Sequence, residues 1–221
     1  MSRRFRVESQ DPGSRLLGRM LPSMRPGDEL VLVGRFGSFV VPPGLGVIAA
    51  GAAVERAEVS DAEIAGGTWS RLHVTGRAVL KEARVDLLAQ PTGDLSLWGV
   101  DVASGQVAGR LVAHDSALGV VVDGVAELHD VRGDIVVNGA VKGSRVSGTL
   151  RCAGRVQLER FTGVLVMTAG SLEVADVDLD GGDGPCITLR GGEMFLDAGR
   201  LRGAVDAPAG ALVLGAAVVR S

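Results

Sequence analysis

The segment GVAELHDVRGDIVVN, residues 124–138, decides the fold, because its neighbours repeat it. Before it stands GRLVAHDSALGVVVD (109–123); after it come GAVKGSRVSGTLRCA (139–153) and GRVQLERFTGVLVMT (154–168), each fifteen residues long and each opening on glycine. Apolar residues recur at fixed offsets. The third positions are Leu111, Ala126, Val141 and Val156, and the twelfth are Val120, Ile135, Leu150 and Leu165. The fourteenth are Val122, Val137, Cys152 and Met167. Between them lie polar residues such as Glu127, Lys142 and Gln157. Apolar and polar residues alternating over a few positions point to short strands, and glycines between them point to tight turns. No such segment can bury its apolar face alone, but a stack of them makes one continuous core.

The pattern spreads in both directions. GRAVLKEARVDLLAQPT (76–92) and GDLSLWGVDVASGQVA (93–108) precede the central four segments. GSLEVADVDLDGGDGPCITLRG (170–191), GEMFLDAGRLRGAVDAPA (192–209) and GALVLGAAVVRS (210–221) follow them. The extra length of 170–191 sits at DGGDGP and predicts a loop at one corner. The expected fold is all-β: a single-stranded parallel β-helix of about eleven short coils, with equivalent residues about 4.8 Å apart. The right-handed form is expected, since the strict six-residue period of left-handed hexapeptide helices is absent. Asn138, next to Gly139, is expected to take a left-handed corner conformation.

Composition supports this reading. The 221 residues include 33 glycines and are 46% hydrophobic, which disfavours helices and provides a core. A net charge of −3 argues against neutralising phosphates, so no nucleic-acid partner is expected. Aromatics make up only 3%, with no Tyr, so stacking platforms for sugars or bases are scarce. Neither a secretory leader nor a membrane-spanning apolar run is evident. Cys152 and Cys186 match no metal-ligand spacing. Cys152 reads as core and Cys186, after Pro185, as more exposed. A cytoplasmic protein with free thiols is expected.

Residues 1–29 read as an N-terminal segment and residues 30–221 as the β-helix. In SRLLGRMLPSM (14–24), Leu16, Leu17, Met20, Leu21 and Met24 have helical spacing, which predicts a short amphipathic helix capping the core. That helix followed by RPGDELVLVGRFGSFVVPPGLGVIAAG (25–51) resembles the opening of right-handed β-helix proteins of the pectate-lyase-like superfamily. It is similar in particular to β-helix domains that actinobacteria place beside AAA-type ATPase domains. The resemblance implies the fold, a bacterial source and an AAA-type ATPase as partner. The short coils of GDIVVNGAVKGSRVSGTLRCAGRVQL also resemble bactofilins, cytoskeletal β-helices that polymerise end to end. The last segment, GALVLGAAVVRS, is apolar almost throughout. Its Leu212, Leu214, Val218 and Val219 are expected to form an interaction surface that is covered, stacked upon or continued by further chain.

Two clusters qualify as candidate chemistry. His114-Asp115 and His129-Asp130 lie one repeat apart, so stacking places the two imidazoles in one column and the two carboxylates in the next, a conceivable metal or acid–base site. The competing expectation is a solvated ladder in which Asp130 pairs with Arg145. Asp176, Asp178 and Asp180 have the spacing of oxygen ligands but lack the glutamate of a calcium loop. No phosphate-binding loop occurs. No catalytic set, metal site or cofactor is therefore expected. The expected function is that of a non-enzymatic structural or recognition module, acting through a protein partner or self-association. The alternatives are a carbohydrate-active enzyme or glycan-binding protein of the pectate-lyase-like fold, and a bactofilin-like polymer.

Overall fold

The computed structural model describes residues 2–12, 15–90 and 92–220. It is an all-parallel β-solenoid with one short helix, and its contacts group it into two units, residues 1–112 and 113–221.

In the first unit, β1 (Arg4–Ser9) is followed by α1 (Leu16–Met20) and a single 3₁₀ turn (Leu21–Ser23). The strands β2 (Glu29–Val41), β3 (Gly46–Ile48), β4 (Ala53–Val59), β5 (Ala62–Ala65) and β6 (Thr68–Val74) come next. They are succeeded by β7 (Ala78–Lys81), β8 (Arg84–Gln90), β9 (Asp94–Trp98) and β10 (Asp101–Val107). Pairing skips one strand, β4 to β6 to β8 to β10 and β5 to β7 to β9, because each coil contributes two short strands to separate faces. The column Val47, Ile64, Leu80, Leu97 is fully buried. Trp69 is also buried, and its indole N–H donates to the Gly66 carbonyl at 3.0 Å.

Strand β1 was not legible as a strand: the sequence places residues 4–9 in the terminal segment. It pairs in parallel with the first half of β2, Arg4 opposite Glu29 through Ser9 opposite Gly34. The strands make about 12 turns in all, against about eleven expected. The helix lies against the second half of β2. Leu17, Leu21 and Met24 are buried, and the Gly37 N–H donates to the Pro12 carbonyl at 3.0 Å. The turn before β2 is held by Asp28, whose side chain is 4% exposed. It accepts from the Arg3 guanidinium at 2.8 Å, the Arg25 N–H at 2.9 Å and the Arg3 N–H at 3.1 Å.

Strand β11 (Arg110–His114) carries the chain into the second unit. There the strands lengthen: β12 (Ala117–Val122), β13 (Val125–Val137), β14 (Ala140–Cys152), β15 (Arg155–Met167), β16 (Ser171–Leu189), β17 (Glu193–Asp206) and β18 (Ala211–Arg220). Val125 opposes Ala140 and Ala140 opposes Arg155, so the register advances by fifteen residues, as the repeat predicts. Between β15 and β16 it slips from Gly163–Leu179 to Leu165–Ile187, which places the predicted insertion within 180–186. The columns of third, twelfth and fourteenth positions are buried from β13 to β15. Each fully buried Leu or Ile contributes on the order of 1.5–3 kcal/mol.

The glycine at the head of each coil is a steric requirement. A Cβ on Gly139 would lie 2.0 Å from the Gly124 carbonyl oxygen, and one on Gly154 1.9 Å from that of Gly139. Those carbonyls accept the N–H of Ala140 and Arg155, each at 2.9 Å. A second column, Gly133, Gly148 and Gly163, has φ of 134°, 116° and 131° and is equally closed to a side chain. The remaining corner is left-handed without glycine: Asp115, Asp130 and Arg145 have φ of 49°, 55° and 53°. Asn138 does not take the left-handed conformation expected of it. Its amide instead donates to the Asp123 carboxylate at 2.7 Å, which holds the corner from outside.

Two predictions follow from these contacts. In Gly148→Ala a Cβ would meet the Gly133 oxygen at 2.2 Å at a left-handed φ. The variant is expected to lose about 2 kcal/mol or more and several degrees of Tm. Gly182→Ala, whose Cβ meets nothing within 4 Å, is expected to lose less, and equal losses would contradict the stacking argument. The second concerns Asp28. The Arg3 hydrogen bond, then the Arg25 N–H, lower its carboxyl from 3.8 to about 2. A depressed folded-state pKa stabilises above the unfolded value and ceases to do so as pH falls through the folded one. Melting curves between pH about 4 and about 2 should thus show Asp28→Asn losing less stability than wild type over that window, having started from a lower Tm at pH 7.

Candidate functional site

Parallel in-register stacking turns every outward position into a column. On the face formed by the first halves of β13 to β18, one column reads Glu127, Lys142, Gln157, Glu173, Phe195, Val213. The adjacent one runs from His129 and Ser144 through Glu159 and Ala175 to Asp197. Apart from buried Ser144 and from Val213, these side chains line an open groove of about 500 Å³, and a second of about 600 Å³ adjoins it along Arg155, Ser171, Glu193, Phe195 and Val213. Gln157, Glu173 and Phe195 belong to both, so the two form one continuous surface. Gly143 at its floor admits no side chain, since a Cβ there would lie 2.2 Å from the Leu128 oxygen. The groove combines carboxylates with an exposed aromatic ring and an exposed valine.

The two histidines come together as their spacing predicts. The His114 and His129 rings stack with centroids 4.9 Å apart and planes 18° from parallel. His129 Nε2 lies 3.2 Å from a Glu127 carboxylate oxygen, and its Nδ1 lies 2.9 Å from Ser144 Oγ. A carboxylate only accepts, so in the neutral ring the proton sits on Nε2 and the Ser144 hydroxyl donates to Nδ1. Parallel rings point their in-plane lone pairs alongside one another, not at a common point, and both nitrogens of His129 are engaged. Hydrogen bonding from His129, then from Lys142 at 3.3 Å, holds the Glu127 carboxyl below its ordinary range.

The neighbouring column forms the expected charge ladder. Asp130 is bound by the Arg145 guanidinium through two N–H donors, which lowers its pKa and raises that of Arg145. Asp115 projects from an exposed left-handed corner. Among the described residues no group of three His, Cys, Asp or Glu is placed to hold a metal ion. The aspartates of the second candidate are bound by arginine: Asp176 by Arg160 at 3.1 Å, Asp178 by Arg202 at 2.7 Å, and Asp180 by Arg202 at 3.6 Å. Asp180 also accepts the Gly182 N–H at 2.9 Å, which shapes the inserted loop.

Cys152 is buried in its column, and burial raises its thiol pKa. Cys186 is fully buried rather than exposed, its thiol directed at the Ala204 carbonyl at 3.4 Å. The expected interaction residues lie on β18. Leu212, Leu214 and Val218 are half-buried against β17 and Val219 is exposed, with Val213 also exposed on the grooved face. No described helix is long and apolar enough to cross a membrane. The sequence reading missed the groove as a site. The column of Glu127, Lys142 and Gln157 contained its first half, and the fourth positions of the segments headed by Gly170 and Gly192, Glu173 and Phe195, continue it. No family model, curated protein or solved structure matches the chain.

Proposed function

We propose that the chain is a non-enzymatic recognition module that engages a protein through the grooved face of β13–β18. The observation that carries this reading is the continuous surface in which Glu173 and Gln157 run into the exposed Phe195 and Val213. An apolar centre with a polar rim is the composition of a contact patch. Partners hold the Glu127 and Asp130 carboxyls below their ordinary range, which suits fixed charge for binding. A general acid would need the opposite shift. A bacterial cytoplasmic setting accords with two buried cysteines that form no disulfide. The finer likenesses belong to this proposal too: the pectate-lyase-like opening at residues 25–51, with an AAA-type ATPase as partner, and bactofilin-like assembly.

A second reading is favoured by one feature. An acidic groove with an exposed aromatic ring is also the composition of an oligosaccharide site, whether binding or cleaving. The two readings separate experimentally. A photo-reactive residue in place of Phe195, irradiated in cells expressing the full chain, is expected to give protein adducts, whereas the same residue at exposed Asp134 is not. Polysaccharide cleavage by the wild type that disappears in Asp197→Asn would contradict the recognition reading and establish the second.

A further inference from the structure

The grooved face carries charge that its own unit leaves unmatched. Glu127 is met by Lys142 and Glu173 by the Gln157 amide. Glu159 and Asp197, two coils apart in one column, make no side-chain hydrogen bond or salt bridge among the described residues, Glu159 being felt by Arg145 only through space, and both are exposed. Beside them Phe195 is 40% and Val213 51% exposed. Residues 113–221 hold fourteen Asp and Glu against ten Lys and Arg. The unit is therefore acidic, with its unpaired carboxylates gathered around an apolar patch.

The complementary patch is on the same chain. Residues 1–25 contain six arginines against two acids. Arg3, Arg4 and Arg6 are occupied by Asp28, Glu29 and Glu8. Arg15 and Arg19 are exposed and make no side-chain hydrogen bond or salt bridge among the described residues. Four positions apart at α1, they project from one side of the helix. Leu16 is 48% and Val40 60% exposed, and Arg15, Arg19 and Val40 line one groove of about 600 Å³. Two free cations with two exposed aliphatic side chains thus match two free carboxylates with an exposed Phe and Val.

We propose that the grooved face receives the α1 region of a second copy of the chain, Arg15 and Arg19 pairing with Glu159 and Asp197 while Leu16 and Val40 cover Phe195 and Val213. The proposal rests on the reading of this face as a recognition surface and names its partner. The contact is heterologous: each copy brings one patch of each kind, and binding uses one from each. Charge complementarity selects this pairing over groove against groove, which would oppose carboxylates.

Light scattering over a concentration series tests it. Wild-type mass should rise with concentration, and added salt should weaken the association as it screens exposed charge. Arg19→Glu and Asp197→Arg should each weaken self-association about tenfold or more, a loss of about 1.4 kcal/mol or more, with unchanged melting curves because both sites are exposed. An equimolar mixture of the two variants should associate, because each retains the patch the other has lost. Failure of the mixture to associate overturns the proposal. A wild type that stays monomeric overturns it as well, while leaving the recognition face to stand or fall on cross-linking at Phe195. Loss in Asp197→Arg without loss in Arg19→Glu overturns the role of α1 and keeps the face. Indifference to Asp197→Arg overturns both.

Discussion

The constraint on which the second unit depends is the approach of one coil's backbone to the next at its corners. The carbonyl of Gly124 receives the N–H of Ala140 while Gly139 lies against the same oxygen, and Gly139 repeats the contact with Gly154 and Arg155. That approach leaves no volume for a Cβ. It fixes glycine at a fifteen-residue interval, and the interval fixes everything between. A parallel pairing that advances by one coil puts the same position of every coil in the same column, so inward columns are uniformly apolar and need no other specification. A slip of one residue would exchange the inward set for the outward one along a whole strand. The glycines oppose that slip, since only they fit beneath the carbonyl.

The same stacking governs the outward chemistry. Residues one coil apart are neighbours, so Asp130 meets Arg145, Lys142 meets Glu127, and Arg160 meets Asp176. Such pairs are exposed and individually worth little, but they prevent like charges from opposing each other along a column. Where the alternation lapses, as at Glu159 and Asp197, the surface is left with charge to be met from outside. The groove is a consequence of this lapse together with Gly143, which lowers the floor, and Phe195, which raises one side of it.

Much of the fold was legible because periodicity is a property of sequence alone. The columns read from 109 to 168 are the observed ones, and DGGDGP at 180–185 is the observed site of irregular register. Three features were not legible, each for a local reason. RFRVES at 4–9 lacks the glycine that marks a coil, so β1 reads as a basic tail until its pairing with β2 is seen. Cys186 follows a proline in a polar loop, yet the loop returns to the sheet in time to bury it. The left-handed corner is filled by Asp115, Asp130 and Arg145, where turn chemistry favours Asn138, because the corner lies between His129 and Val131 and not at the coil's end. The candidate site was half legible: the His column and the Glu-Lys-Gln column were visible, and the fourth and sixth positions of the segments headed by Gly170 and Gly192 extend them to Phe195 and Asp197, but a linear pattern does not show that these positions enclose a groove.

The central claim is that fifteen residues constitute one interchangeable coil between β13 and β15. Removing residues 139–153 joins Asn138 to Gly154 and recreates the natural junction between Asn138 and Gly139, with every later column still in register. Thermal unfolding of that deletion, followed by far-ultraviolet circular dichroism, should retain a strand-rich spectrum and a single cooperative transition. Removing Thr149 alone, inside β14, turns Leu150 and Cys152 outward against Ile135 and Val137 and should destabilise far more, because a corner absorbs one residue, as the sixteen-residue step from Arg155 to Ser171 shows, and a strand does not. Equal tolerance of the two deletions, or equal collapse, would contradict the account.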